Sequence, residues 1–148
     1  MSDPQVGIFV EGSAHQHHLE YRLRRGVSTS ALMKGLRQAC EVDARGEGGE
    51  LPVVVGVSKP LWASHCEGAG QPDFENFEAL FGPDGWHAPS TQADLWIWVQ
   101  GDARDAVFDR ALAVDQCLRS VCELVVDVPV FVRAENRDLT GFVDGSAN

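Results

Sequence analysis

The chain has 148 residues, 44% hydrophobic and 23% charged, the balance of one soluble globular domain with enough length to bury a core. Its formal net charge is −10, 12 basic against 22 acidic side chains, which argues against sequence-independent binding to nucleic acid and against docking on anionic lipid, since both need a basic surface. The opening stretch M-S-D-P-Q-V-G-I-F-V-E has no basic start and no long apolar run, and none of the four cysteines forms a C-x-x-C pair. These features predict a cytoplasmic protein without a signal peptide or membrane span, its cysteines reduced and used for packing.

Residues 17–25 alternate, with Leu19, Tyr21 and Leu23 on one face and His18, Glu20, Arg22 and Arg24 on the other, which predicts a half-buried strand ended by Gly26. Ser28 or Ser30 is a candidate cap for a helix running to about Arg45, with Leu32, Leu36, Ala39 and Cys40 on its apolar stripe. The β-branched run 52–58 predicts a strand covered on both sides. Residues 59–90, rich in Gly and Pro, read as a long irregular loop with aromatic patches, a kind of loop that is usually functional or packed on something.

The stretch 93–100 predicts a third strand, with Leu95, Ile97 and Val99 on one face and Trp96 and Trp98 on the other. One helical layer covers only one face, so the tryptophans need a cover of their own: loop 59–90, a partner chain or a bound group. Asp102 is a candidate cap for a second helix, whose stripe is Val107, Ala111, Val114, Leu118 and Val121. Leu124, Val126, Val128, Val130 and Val132 alternate as a fourth strand, and Pro129 marks an edge or a bulge. The order βαββαβ predicts an α+β, ferredoxin-like unit over residues 1–148: a four-stranded antiparallel sheet with two helices on one face. Such a fold leaves function open.

Several candidates for chemistry have plainer explanations. His15 and His17 share a strand face and could bind a metal together, but no third ligand follows at a useful spacing, so an exposed cluster with His18 is favoured. His65 and His87 are lone loop histidines, and Asp102, Arg104 and Asp105 suit the start of a helix. Phosphate-binding, zinc-protease and serine-hydrolase motifs are absent. One stretch remains, R-D-L-T-G-F-V-D-G-S-A-N from Arg137 to Asn148, which sets Asp144 among small residues directly after the last strand. A simple turn would explain it, because Gly and Asp are turn formers. Its position after a complete ferredoxin-like unit, together with the upstream A-P-S-T-Q-A-D, raises its weight.

The combination resembles the dye-decolorising peroxidases, haem enzymes whose signature is G-x-x-D-G, and most closely their bacterial cytoplasmic branch. Arg137, Asp138, Leu139, Gly141, Phe142, Asp144, Gly145 and Asn148 match the extended signature, and Ala88, Pro89, Thr91, Gln92 and Asp94 match a second stretch. Ser146 stands where threonine is usual, and Ala147 where an acid is common.

The resemblance implies haem b between two ferredoxin-like units, with residues 135–148 as the haem-facing loop. It implies Asp144 as the catalytic acid–base group, and Phe142, Val143, Gly145, Ser146 and Asn148 as cofactor contacts. Asp144 would take a proton from hydrogen peroxide and return it to the leaving oxygen, while small aromatic reductants give up electrons one at a time. Trp96, Trp98 and Tyr21 could relay those electrons, although a packing role is the plainer one. No metal ligand is identifiable in this chain; the resemblance assigns the axial histidine and a distal arginine to a C-terminal half, or to a partner chain, and implies a homo-oligomer. A structurally related type, the chlorite dismutases, is disfavoured by the G-x-x-D-G loop. The alternative from another class is a non-catalytic ferredoxin-like module that dimerises through its open sheet face.

Overall fold

The computed structural model describes residues 4–42, 51–66 and 73–143. Six strands and three helices follow one another as β1 (His15–Leu23), α1 (Thr29–Glu41), β2 (Val53–Val57), α2 (Lys59–His65), β3 (Leu80–Phe81), β4 (His87–Ala88), β5 (Leu95–Gly101), α3 (Arg104–Leu118) and β6 (Cys122–Phe131). The main sheet has the order β2-β5-β1-β6, and all its pairings are antiparallel. This is the ferredoxin-like arrangement expected from the sequence.

Alternation decides which face each strand buries. Leu19 and Tyr21 of β1 and Leu95, Ile97 and Val99 of β5 are buried on the helix side. They meet Leu32 and Ala39 of α1, Leu61 of α2, and Val107, Ala111, Val114 and Leu118 of α3 in one core. Burial of these apolar side chains, roughly 1.5–3 kcal/mol for each Leu, Ile and Val and less for each Ala, supplies the main drive to fold. Tyr21 is fully buried and turns its hydroxyl toward Asp115 at 3.4 Å. Burial, with Asp115 beside it, raises the pKa of that phenol well above its usual value.

Local chemistry sets the boundaries. β1 starts at His15, two residues earlier than the alternation suggested, because His15 and Gln16 pair with Gly101 and Gln100. Ser28 caps α1, its hydroxyl accepting from Ala31 N. The helix ends at Glu41, so the predicted end near Arg45 falls outside the described residues. Cys40 is exposed although it was placed on the apolar stripe; Cys66 and Cys117 are half-buried, and only Cys122 is fully buried.

Three expectations need correction. Residues 59–90 are not uniformly irregular: Ser58 caps α2 by accepting from Leu61 N, Pro60 sits in its first turn, and β3 and β4 form a short hairpin around Pro83–Gly85. Asp102 does not cap α3. Ala103 holds the cap position without a side-chain bond, and Asp102 Oδ1 instead accepts from Ala14 N at 3.4 Å. The alternation of the fourth strand is broken by a bulge at Glu20/Tyr21 of the pairing; of the two expectations for Pro129, the edge is borne out and the bulge lies elsewhere. Leu124 therefore lies opposite Tyr21, while Val126, Val128 and Val130 lie opposite Glu20, His18 and Gln16. Pro129 is tolerated because β6 is an edge strand.

Among the described residues, no α-helix packs on the second face of the sheet. Gln16, His18 and Glu20 from β1, Trp96 and Trp98 from β5, and Val126, Val128 and Val130 from β6 share it. At its β2 edge, a short turn at Val6–Phe9 lies against Val54, and Gln100 Nε2 donates to Gly7 O at 2.7 Å. The Gln5 amide holds the free backbone of β2, donating to Val55 O at 3.0 Å and accepting from Val55 N at 2.8 Å.

Candidate functional site

The site begins where β6 ends. Val132 N still bonds to Ala14 O, and then the chain turns away through Glu135 and Asn136, both with left-handed φ, 56° and 57°. Side chains hold this costly geometry in place. Arg137 donates through Nε and Nη2 to Glu135 Oε2, at 2.9 and 2.5 Å, and through Nη1 to Gly141 O at 2.9 Å. One guanidinium fork thus ties the turn before it to the turn after it.

Asp138 organises the next four residues. Its Oδ1 accepts from Thr140 N at 2.8 Å, from Thr140 Oγ1 at 2.5 Å and from Gly141 N at 3.1 Å. These bonds, the Thr140 hydroxyl first, lower its pKa below the ordinary aspartate value. Asp138 N donates to Phe142 O, and Arg137 bridges Val143, which closes a tight hairpin. Gly141 has φ +93°, a conformation that a Cβ disfavours. Leu139 and Phe142 project outward, 99% and 76% exposed. The residues of R-D-L-T-G-F-V therefore divide in two. Arg137, Asp138 and Gly141 build the loop, and Leu139, Phe142 and Val143 give it an apolar outer surface.

Of the predicted site residues, Phe142 and Val143 are thus placed on this hairpin. Asp144, Gly145, Ser146 and Asn148 lie outside the described residues. The other candidates are not brought to the hairpin. His17 is buried in β1 and held by Asp127 at 2.5 Å. His65 Nδ1 lies 2.7 Å from Ser64 Oγ, and His87 stacks on Phe81 in the small hairpin. No group of three or more His, Cys, Asp or Glu side chains suited to a metal occurs among the described residues.

The upstream stretch is structural where it is described. Gln92 Nε2 donates to Phe77 O at 2.9 Å and to Ser90 Oγ at 3.0 Å. Asp94 is a joint: its N donates to Tyr21 O, its O accepts from Ser58 N, and its Oδ2 accepts from Leu23 N at 2.8 Å.

Comparison with known proteins decides the family. A family model described as Dyp-type peroxidase, N-terminal, matches residues 5–131. The chain belongs to the Dyp-type peroxidase family. A dye-decolorizing peroxidase of Rhodococcus erythropolis is 33% identical over 118 residues, 80% of this chain and 34% of that protein. One of Mycobacterium tuberculosis is 32% identical over 98 residues, 66% of this chain and 29% of that protein. Among solved structures, a Dyp-type peroxidase from Shewanella oneidensis superimposes with a TM-score of 0.82 at 25% identity, covering all of this chain and 49% of the other. A heme-bound DypB variant from Rhodococcus jostii gives 0.79 at 26% identity, with 99% and 48% covered. The chain thus spans about a third of these curated Dyp-type relatives and about half of the solved ones. The family match ends at Phe131, so the hairpin follows it.

Sequence reasoning missed one group on the open sheet face. His18, Trp96 and Trp98 form a set of near-parallel rings, with centroids 5.6 to 6.1 Å apart. Trp96 Nε1 donates to His18 Nδ1 at 3.2 Å, and Trp98 Nε1 to Gln16 Oε1 at 3.1 Å. The signal was available: the alternation already put Trp96 and Trp98 opposite the Leu95, Ile97 and Val99 face and His18 opposite the Leu19 and Tyr21 face of their strands. What it lacked was the register His18↔Trp98 that joins them.

Proposed function

We propose that this chain is the distal half of a haem b peroxidase, which reduces hydrogen peroxide while small aromatic donors such as dyes or phenols lose electrons singly. Family membership over residues 5–131 carries the reading, and the hairpin that follows supports it. The hairpin fits a porphyrin in chemistry, because it turns Leu139, Phe142 and Val143 outward as an exposed apolar surface at the entry to the Asp144 segment. In this reading Phe142, Val143, Gly145, Ser146 and Asn148 line the cofactor, and haem supplies the oxidising chemistry when bound. Asp144 accepts a proton from one oxygen of hydrogen peroxide and delivers it to the other, which leaves as water. Arg137 and Asp138 hold the loop that presents Asp144; neither moves the proton, since both are committed to bonds within the turn.

None of the described histidines serves as axial ligand in this reading. His17 is engaged by Asp127 and His18 by Trp96, His65 and His87 sit on α2 and β4, and His15 opens β1 between Gly101 and Phe131, with no metal-suited group of three side chains among the described residues. The ligand comes from a C-terminal half or a partner chain, which also covers the open sheet face. A homo-oligomer in the cytoplasm completes the proposal, and the free thiols suit a reducing compartment. No helix among the described residues is long and apolar enough to cross a membrane. The test is size-exclusion chromatography after incubation with haemin, followed at 280 nm and in the haem band. The reading expects haem absorbance to co-elute with a defined species; haemin that stays wholly in the small-molecule fraction would count against a haem-facing loop on this chain.

A further inference from the structure

The ring group on the open sheet face has chemistry that packing does not require. Trp96 and Trp98 are half-buried, their rings 5.8 Å apart and inclined by 24°. Gly56 makes this placement feasible for Trp96, because a Cβ there would stand 3.0 Å from Trp96 Cε3. The two indoles differ in what accepts their N–H. For Trp98 it is the Gln16 amide oxygen, a poor proton acceptor. For Trp96 it is the ring nitrogen of His18, a base. That bond sets the neutral imidazole with its own proton on Nε2.

We propose that Trp96 and His18 form a proton-coupled electron relay: a one-electron oxidant takes an electron from the Trp96 indole while the Nε1 proton crosses to His18 Nδ1. The products are a neutral indolyl radical and an imidazolium. An aromatic donor then returns one electron to Trp96, and the proton goes back from His18 to Nε1, so atoms and charge balance. Trp98, without a base, gives its electron hole to Trp96 across the 5.8 Å gap, and oxidation settles at Trp96. Burial and the neighbouring His17 lower the pKa of His18, which keeps Nδ1 free to accept near neutral pH. Glu20 and Arg22 from β1 are the other charged groups on this face of the strand. Glu75 and Asp94 line the same hollow as Glu20 and Trp96, while β6 contributes Val126, Val128 and Val130 and, opposite Arg22, Glu123, and β2 contributes Val54 and Gly56. That the natural oxidant is a haem site rests on the peroxidase reading; the relay does not.

The experiment therefore uses an external oxidant and no haem. The chain carries Trp62→Phe and Trp86→Phe, so that Trp96 and Trp98 are its only indoles. It is oxidised by a photogenerated ruthenium(III) polypyridyl complex, and the radical is followed by transient absorption. The neutral indolyl radical is expected to appear together with electron loss, more slowly in heavy water. With His18→Gln the indole cation radical should become visible and lose its proton on the order of a hundredfold more slowly. Trp96→Phe should leave a cation radical on Trp98. An unchanged deprotonation rate in folded His18→Gln, checked by circular dichroism, overturns the relay. If that variant does not fold, the pH series of the His18 protein decides: acidification through the His18 titration must expose the cation radical, and a radical of constant identity overturns the proposal. A working relay with no haem binding would sink the peroxidase reading alone.

Discussion

Asp94 offers a quantitative test of how this fold is joined. Its carboxylate accepts from Leu23 N at 2.8 Å, at the point where β1 ends, β5 begins and α2 starts. Asp94→Ala removes a charged acceptor from a backbone donor, an interaction worth about 1.5–3 kcal/mol. Leu23 is only half-buried, so water recovers part of the loss, and the lower end, about 1.5–2 kcal/mol, is expected. For a chain of this size that lowers Tm by roughly 3–8 °C. Asp94→Asn keeps an oxygen acceptor and should lose less than half as much. Urea melts followed by tryptophan fluorescence would measure both, with the m-value unchanged if only stability moves. Cys122 supplies an independent reading. Burial first, and then the Asp94 charge, push its thiol up to about 11. Asp94→Asn should therefore lower the pH at which Cys122 reacts with a thiol reagent. An Asp94→Ala protein as stable as the parent would refute the joint, and a Cys122 titration indifferent to Asp94→Asn would refute the electrostatics.

Three further outcomes follow from the same structure. Ile97 is fully buried in a central strand, so Ile97→Ala should cost about 2–5 kcal/mol in urea melts, against about 0.5–1.5 kcal/mol for Ile97→Val. His18 has a lowered pKa in the folded chain, so its contribution to stability is present above its ordinary value of 6.5 and is lost as pH falls through the folded value. Protonation also removes the acceptor of the Trp96 indole; melts at pH 7.5 and pH 5 should show a drop that His18→Gln diminishes, and an equal drop in that variant would contradict the assignment. Phe142 is 76% exposed, so Phe142→Ser should leave stability within about 0.5 kcal/mol while reducing haemin retention; equal retention would remove Phe142 from the cofactor wall.

What could be read in the sequence was whatever depends on local period. The stripe Val107, Ala111, Val114, Leu118 and the alternation of Leu95, Ile97 and Val99 each report one buried face, and each is buried as expected. What escaped depends on pairing partners or on short signals. The register shift at Glu20/Tyr21 belongs to two strands at once, so the alternation of β6 alone could not reveal that Leu124 and Val126 face opposite ways. Asp102 has the chemistry of a helix cap, yet it is recruited by Ala14 N, which tertiary structure brings near it. The α2 helix and the β3–β4 hairpin were legible in principle, from Ser58 with Pro60 and from the Pro83-Asp84-Gly85 turn, but Gly and Pro density masked elements this short.

The loop after β6 stood out as a motif in the sequence, while the division of labour inside its described part did not. That Arg137 clamps Gly141 O, and that Asp138 gathers the Thr140 and Gly141 donors, follows only from the folded turn. The His18–Trp96 bond likewise needs the β1–β5 register.

The central claim is that Asp144 moves the peroxide proton. Its most direct test is the stopped-flow rate of haemin-loaded protein with hydrogen peroxide, compared with Asp144→Asn at equal haem occupancy. A carboxylate acting as general acid–base should take on the order of a hundredfold or more of that rate with it when it becomes an amide. An unchanged rate at equal occupancy would contradict the role given to Asp144.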